Sequence, residues 1–402
     1  MRLAAVVATV VFLATACAPA PTGSSSAVAE ARDATDDSAA PEFVPSPTSG
    51  DIRESEAVFS EPTGTVLVFN DGIDGVLSVD VDNRIAVRRV LDGQRAGDAF
   101  SGLVRVGDTL VVGSGMIYAL ALDSLEARPL GEATVFIPGE EPEMVWLIDY
   151  PGGRIGQGTP AYRMVGLDGT EVSSAHGLEP SDAYPALGIL GGIVHETDSG
   201  IALWNADSQE VVRVPGADTG FVADVHGSLV AWCDGECALH LTQVGAEDIV
   251  VPSPDETRTF DPRSARFSPD GRLLAAIVTP PGPLGANSRA AIAVVDVDSG
   301  EATLISEPLL PRPSYLAWSD DGQSLFFSSW SYQQPETLLG WYRPADGHIE
   351  VTTLPFGGAL SFVVLEPDDA GAFLASKLGS QENCEQVAAY PSRRTGICGF
   401  RF

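Results

Sequence analysis

The most reactive side chains that lie close together in the sequence are those of Cys233-Asp234-Gly235-Glu236-Cys237, with His240 three positions on. Two thiolates and an imidazole at this spacing could ligate a divalent metal. The Asp234-Gly235 step, however, favours a turn that brings the two cysteines together across a hairpin. In an oxidising compartment that arrangement is expected to give a Cys233–Cys237 disulfide. Asp296-Val297-Asp298-Ser299-Gly300, followed by Glu307, has part of the spacing of a calcium loop. Its glycine stands one place early and the third ligand is missing, so a turn is expected and no metal ligand is assigned. Nucleophilic chemistry has no signature here: there is no Gly-x-Ser-x-Gly elbow, no His-Glu-x-x-His and no glycine-rich phosphate loop. His176, His195, His226, His240 and His348 are isolated from one another in sequence, and no catalytic residue is assigned.

Composition and compartment narrow the classes. The 402 residues are 44% hydrophobic and 7% aromatic, the make-up of a globular protein. With 23 basic and 55 acidic residues the formal charge is -32, which repels phosphate backbones and speaks against nucleic acid as a partner. The surplus is compatible with cationic partners, and calcium is the one cofactor it admits. The chain opens Met1-Arg2 and runs apolar from Leu3 to Leu13, a secretory signal too short to span a bilayer. Leu13-Ala14-Thr15-Ala16-Cys17 resembles a bacterial lipobox, with alanine at position 14 where leucine is usual; Cys17 would then be acylated and become the mature N-terminus. The alternative is cleavage at an Ala-x-Ala site through Ala14 and Ala16, leaving Cys17 free.

Five cysteines minus Cys17 leave four, which in an exported chain read as two disulfides with three possible connectivities; the near-neighbour pairs Cys233 with Cys237 and Cys384 with Cys398 are the expected ones. Acyl chains contribute about 0.8 kcal/mol per buried methylene, enough to hold the protein on a membrane. Residues 1–16 therefore read as a lipoprotein signal peptide, and 17–59 as the lipidated cysteine with a disordered, acidic Ala/Pro/Ser linker. Such a linker spans roughly 35 to 40 Å. The expected location is the outer face of the cell membrane, after export.

The elements that must position any site begin near Gly64. Short β-rich apolar stretches such as Thr65-Val66-Leu67-Val68-Phe69 alternate with Gly, Asp, Asn and Pro, and helical periodicity is nearly absent. Hairpin turns recur at Asp82-Asn83, Asp123-Ser124, Asp168-Gly169, Asp207-Ser208, Gly245, Asp298-Ser299-Gly300 and Asp346-Gly347. A four-stranded propeller blade takes roughly 40 to 50 residues, so seven such turns predict an all-β, seven-bladed β-propeller, with six and eight as the neighbouring counts. A second repeat carries the inner turns. It is strongest at Phe267-Ser268-Pro269-Asp270-Gly271-Arg272-Leu273-Leu274-Ala275 and looser over Trp318 to Phe327, with weaker copies at Val106 to Leu110 and Val225 to Leu229.

Phe267 to Ala275 resembles the WD-like repeat of TolB-like propellers. That resemblance implies an extracytoplasmic protein whose propeller binds other envelope proteins. The family has six blades and a preceding α/β domain, which this chain's repeat count and composition do not reproduce. The propeller is expected over 60–380 and a disulfide-bearing tail over 381–402. The first blade lacks a clear inner strand, which a spare C-terminal stretch at Ser361 to Leu365 or Ala372 to Ala375 would supply on ring closure. Trp146, Trp204, Trp232 and Trp318 fall inside strand patterns and are expected in the core.

Loops joining second and third strands share one face of a propeller. Three are long, at Asp149 to Pro160, Thr279 to Arg289 and Ser329 to Glu336. Arg154, Arg289, Trp330 and Tyr332 on them mark the expected binding face. The function expected is that of a monomeric, lipid-anchored scaffold for an envelope protein or small ligand. The alternative is a secreted hydrolase or lyase with its site at the central channel.

Overall fold

A computed structural model of the chain describes residues 58–70, 75–90, 102–370 apart from short stretches within its connections (the longest 176–186), and 397–401. The expected signal peptide, Cys17 and most of the linker, Cys384 and the stretch Ala372 to Ala375 lie outside the described residues.

The architecture is a ring of seven antiparallel sheets, with no α-helix among the described residues. Blade one contains β1 (Val66–Asn70), β2 (Gly75–Asp80) and β3 (Ile85–Val90); blade two β4 (Gly102–Val106), β5 (Thr109–Ala121) and β6 (Ala127–Ala133). Blade three runs through β7 (Val135–Pro138), β8 (Met144–Asp149), β9 (Ala161–Gly166) and β10 (Glu171–Ala175). Blade four has β11 (Leu187–Ile189), β12 (Gly192–Thr197), β13 (Gly200–Asn205) and β14 (Val211–Arg213). Blade five is β15 (Gly220–His226), β16 (Leu229–Asp234), β17 (Leu239–Gln243) and β18 (Asp248–Val251). Blade six follows with β19 (Thr259–Phe267), β20 (Leu273–Thr279), β21 (Ala291–Asp296) and β22 (Ala302–Leu304). Blade seven has β23 (Tyr315–Trp318), β24 (Leu325–Ser329), β25 (Thr337–Arg343) and β26 (His348–Leu354). Then β27 (Phe362–Leu365) returns to pair with β1 as the inner strand of blade one, and β28 (Ile397–Arg401) adds a fifth strand outside β3.

The ring closes strand by strand: β27 packs against β4, β4 against β7, then β11, β15, β19 and β23 in turn, and β23 against β27. The seven hairpin turns located in the sequence all join, or lie in the connection between, third and fourth strands. At the described turns, aspartates such as Asp168 and Asp346 accept from backbone N–H groups two residues on. Asp296 Oδ1 accepts from Ser299 N and Ser299 Oγ, both at 2.9 Å, so the calcium-like segment is the β21–β22 turn.

Middle strands such as β20 (LLAAIVT) read as continuous apolar runs because both of their faces are covered by neighbouring blades. Ala275 and Ile277 point into one inter-blade cluster, Leu274, Ala276 and Val278 into the other. Trp146, Trp204, Trp232 and Trp318 are all buried, as their strand positions predict, and Trp341 joins them.

Blade two has four strands in practice. β5 folds back at Gly113-Ser114-Gly115, and Leu122 N donates to Asp108 O at 3.0 Å across the base of its two arms. Gly113 makes this possible: its φ is +145°, and a Cβ there would lie 2.2 Å from the Met116 carbonyl oxygen.

The disulfide expected between Cys233 and Cys237 is corrected. Cys233 is a free thiol with no exposed surface, packed among Ala231, Leu239 and Leu241 in the core of blade five. The hairpin register opposes Cys233 to Leu239, and Asp234 N donates to Ala238 O at 3.0 Å. Cys237 therefore sits inside the turn, at φ +65°, rather than across the ladder from Cys233, and it is engaged elsewhere. Burial pushes the Cys233 thiol well above its ordinary pKa, with Asp261 and Asp234 adding to the shift, so it is a neutral thiol at physiological pH. Cys398 lies on β28, at the outer edge of blade one.

The first described residues clasp the rim where blades seven and one meet. Val58 N donates to Val81 O at 3.1 Å, the Phe59 ring lies 5.6 Å from that of Trp341, and Ser60 N donates to Glu350 Oε2 at 2.8 Å. Arg343 Nη1 holds Glu61 at 3.0 Å.

Candidate functional site

The inner strands line a central channel, and charged side chains from several blades meet in it. At its lower mouth the repeated inner turns set the geometry. In blade six Ser268 Oγ donates to Asp270 Oδ1 at 2.6 Å and Leu273 N donates to Ser268 Oγ at 3.0 Å; in blade seven Ser319 Oγ donates to Asp321 Oδ1 at 2.7 Å and Ser324 N to Ser319 Oγ at 2.9 Å. Asp270 and Asp321 thus hold the turns. The position before them is Pro269 in blade six but Asp320 in blade seven, and that extra carboxylate pairs with Arg105 of β4. Arg105 Nη2 also reaches Asp369, just beyond β27, at 2.9 Å.

One guanidinium thus stands among several carboxylates. Partial burial of Asp320, with Asp369 and Asp321 nearby, outweighs Arg105 and raises its pKa. Glu366 is raised too, by burial and by Asp321, Asp320 and Asp369. Because the folded-state pKa of Glu366 lies above its unfolded value, ionising it costs stability at every pH above that folded pKa, and the cost vanishes below the unfolded pKa. Glu366→Gln is therefore expected to raise the denaturation midpoint at neutral pH, with the gain fading on acidification through the carboxylate range. Equal midpoints for the two proteins at neutral pH would contradict this.

Just inside the mouth is a cavity of about 200 Å³, bordered by Arg105, Arg266, Phe267, Tyr315, Trp318 and Phe362. The Arg266 guanidinium lies 5.6 Å from the centre of the Tyr315 ring and 3.9 Å from Asp224 Oδ1. Asp224 Oδ2 accepts from Phe267 N at 2.7 Å, which ties blade five to blade six; burial raises the Asp224 pKa against the pull of Arg266.

Higher in the channel, β19 leaves regular pairing. Phe260 opposes Val278 and Ala265 opposes Ala276, so Asp261-Pro262-Arg263-Ser264 bulges out opposite Ile277 alone. Pro262 has no N–H to give a ladder, and Asp261 Oδ1 stabilises the excursion by accepting from Ser264 Oγ at 2.8 Å and Arg263 N at 3.3 Å. The bulge sends Arg263 over the Phe221 ring of blade five, 4.7 Å away, to Glu196 Oε2 of blade four at 2.8 Å. Glu196 Oε1 accepts from Val222 N at 3.0 Å. Burial raises the Glu196 pKa, and Arg263 opposes the shift.

Of the binding-face residues read from sequence, Arg154, Trp330 and Tyr332 lie outside the described residues, and Arg289 is exposed at the end of the β20–β21 connection. Their three loops each join a second to a third strand, as expected. His240 is held in blade five: it stacks on Trp232 at 4.1 Å and bonds Asp248 at 2.6 Å, while Trp232 Nε1 donates to Thr242 Oγ1 at 2.8 Å. His195 is buried, and burial lowers its pKa to about 4, so it is neutral at physiological pH. The sequence reading missed Arg105, Glu196, Arg263, Arg266 and Asp320. A strand proline beside Asp261, and an aspartate in blade seven where blade six has Pro269, were the signals available.

No family model and no curated protein sequence matches the chain. Solved structures do. TolB from Acinetobacter baumannii is 11% identical, over 74% of this chain and 81% of that one, with a TM-score of 0.42. AztD from Citrobacter koseri is 10% identical, over 75% and 89%, with a TM-score of 0.42. The GH74 enzyme from Niastella koreensis is 11% identical, over 65% and 44%, with a TM-score of 0.45. The likeness is one of fold. The seven blades form the β-propeller that the hairpin spacing predicts.

Proposed function

We propose that this protein is an extracytoplasmic propeller, anchored through acylated Cys17, that binds an envelope protein or small ligand at its central channel. The observation that carries this reading is the channel wall itself. Three guanidinium groups, from β4 and β19, converge with carboxylates of blades four, five and seven, and β19 gives up ladder bonds to place one of them. Bulges of this kind re-aim side chains next to binding and active sites. The cavity of about 200 Å³ is smaller than the roughly 300 to 1,000 Å³ of small-molecule sites, which favours a side chain or peptide tip from a protein partner.

A second reading, a hydrolase or lyase, draws support from Asp320, a carboxylate with a raised pKa on the wall of that cavity, and from Glu366, whose pKa is raised by burial and in part by Asp320. The deciding experiment is affinity capture from the membrane fraction with the full chain, the Tyr315→Ala variant and the Trp330→Ala/Tyr332→Ala variant. Loss of the same partner only with Tyr315→Ala supports channel binding, and loss only with the loop variant moves the site to the loop face. Recovery unchanged in both rejects the binding reading and shifts weight to the enzyme.

A further inference from the structure

A second, larger opening lies away from the channel, between the outer parts of blades six and seven. Its volume is about 600 Å³, within the range of small-molecule sites. The walls are aliphatic: Leu304, Ile305 and Leu309 from the end of β22 onward, and Ile349 of β26 opposite them. Val351, exposed at 43%, stands at the rim.

Three polar residues interrupt this surface, Asp255, Arg258 and Ser306, and the last two each have a donor without an acceptor among the described residues. Among the described residues the Arg258 side chain is engaged only through Nε, which donates to Asp255 Oδ2 at 3.3 Å, and its Nη1 is buried with no partner. Ser306 Oγ accepts from Ile292 N at 2.9 Å, which leaves its O–H to donate. Asp255 is held ionised by Thr257, whose N–H and hydroxyl each donate at 2.8 Å, so it balances Arg258 without reaching Nη1. A buried guanidinium nitrogen with no acceptor costs free energy that an incoming oxygen would recover.

We infer that this cleft binds a single alkyl chain headed by a carbonyl or carboxylate oxygen, the chain lying along Leu304, Ile305, Leu309 and Ile349 and the head oxygen accepting from Arg258 and Ser306. The site is separate from the channel and does not depend on the function proposed for it. A free fatty acid and an acyl ester present the same chemistry here.

Isothermal titration calorimetry of the full chain with sodium octanoate, methyl octanoate and octylammonium tests the assignment and separates the two sources. Octanoate binding at least tenfold tighter than octylammonium, and weakened at least tenfold by Arg258→Met, supports the site with a free acid as ligand. Equal binding of the methyl ester, with the same sensitivity, supports it with an acyl ester. Should Arg258→Met fail to fold, Ile349→Asp places a carboxylate on the wall and is expected to abolish binding. No binding by either acyl compound, octylammonium binding as tightly as octanoate, or binding indifferent to both substitutions would overturn the assignment.

Discussion

Replacing Arg263 with alanine lowers the unfolding free energy at neutral pH by about 3 to 5 kcal/mol, nearer the lower figure because a quarter of the Arg263 side chain is exposed. The loss comes mainly from what remains. Glu196 is nine-tenths buried, and without the guanidinium at 2.8 Å it keeps only the Val222 N–H as a partner. The pH dependence separates this cause from simple loss of packing over Phe221. Burial already holds the folded-state pKa of Glu196 above its unfolded value, so its ionisation destabilises the fold. That cost is absent below the unfolded pKa and complete above the folded one. Removing Arg263 lifts the folded pKa further, so the deficit is greatest at neutral pH and shrinks on acidification. Guanidinium unfolding of wild type and Arg263→Ala near neutral pH and at roughly pH 5 reads the effect. Adding Glu196→Gln recovers part of the neutral-pH loss. A deficit of the same size at both pH values, or no recovery in the double variant, would show that the ion pair is not what the bulge exists to make.

Ending the chain before Ser361 prevents folding altogether. β27 supplies the inner strand of blade one and the last contact of the ring, pairing Phe362 to Leu365 with Phe69 to Val66. Phe362, Val364 and Leu365 are each at most 3% exposed, and the Phe362 ring packs 5.2 Å from both Phe69 of blade one and Tyr315 of blade seven. Burying three such side chains contributes about 1.5 to 3 kcal/mol apiece, together comparable to the whole stability of a typical domain. The loss also bares the edge of β1 to pairing with other chains. Phe362→Ala is the graded version, with an expected loss of about 3 to 5 kcal/mol. Removal of residues 397–402 alone takes away only the outer β28 and leaves a soluble, cooperatively unfolding protein. Circular dichroism and sedimentation of the three variants decide the matter, and a soluble chain ending at residue 360 with the wild-type unfolding transition would exclude closure by β27.

Local chemistry made much of the fold legible in advance. A turn closed by Ser268, Asp270 and Gly271 needs nothing beyond its own residues, and the same holds at Ser319, Asp321 and Gly322. Repetition of such turns at blade spacing is enough to announce a ring, and tryptophans inside strand patterns are enough to announce its core. Spare apolar stretches at Ser361 to Leu365 and Ala372 to Ala375 pointed to closure because the first repeat was short of a strand, and the fold uses the first of them.

The disulfide expected at Cys233 and Cys237 shows where spacing ceases to suffice. Hairpin register moves in single residues, and the register adopted opposes Cys233 to Leu239, turning the thiol into the core.

The sequence by itself therefore determined the hairpin turns, the number of blades and the tryptophans of the core, because turn formation and strand patterning act over a few positions. The channel was decided by tertiary structure alone. Arg263 and Glu196 are 67 residues apart, and Arg105 and Asp320 are 215 apart, so each pair becomes neighbours only when seven sheets close into one ring. Charge pairing carries no periodic trace along a chain; it follows from which blades the closed ring sets side by side.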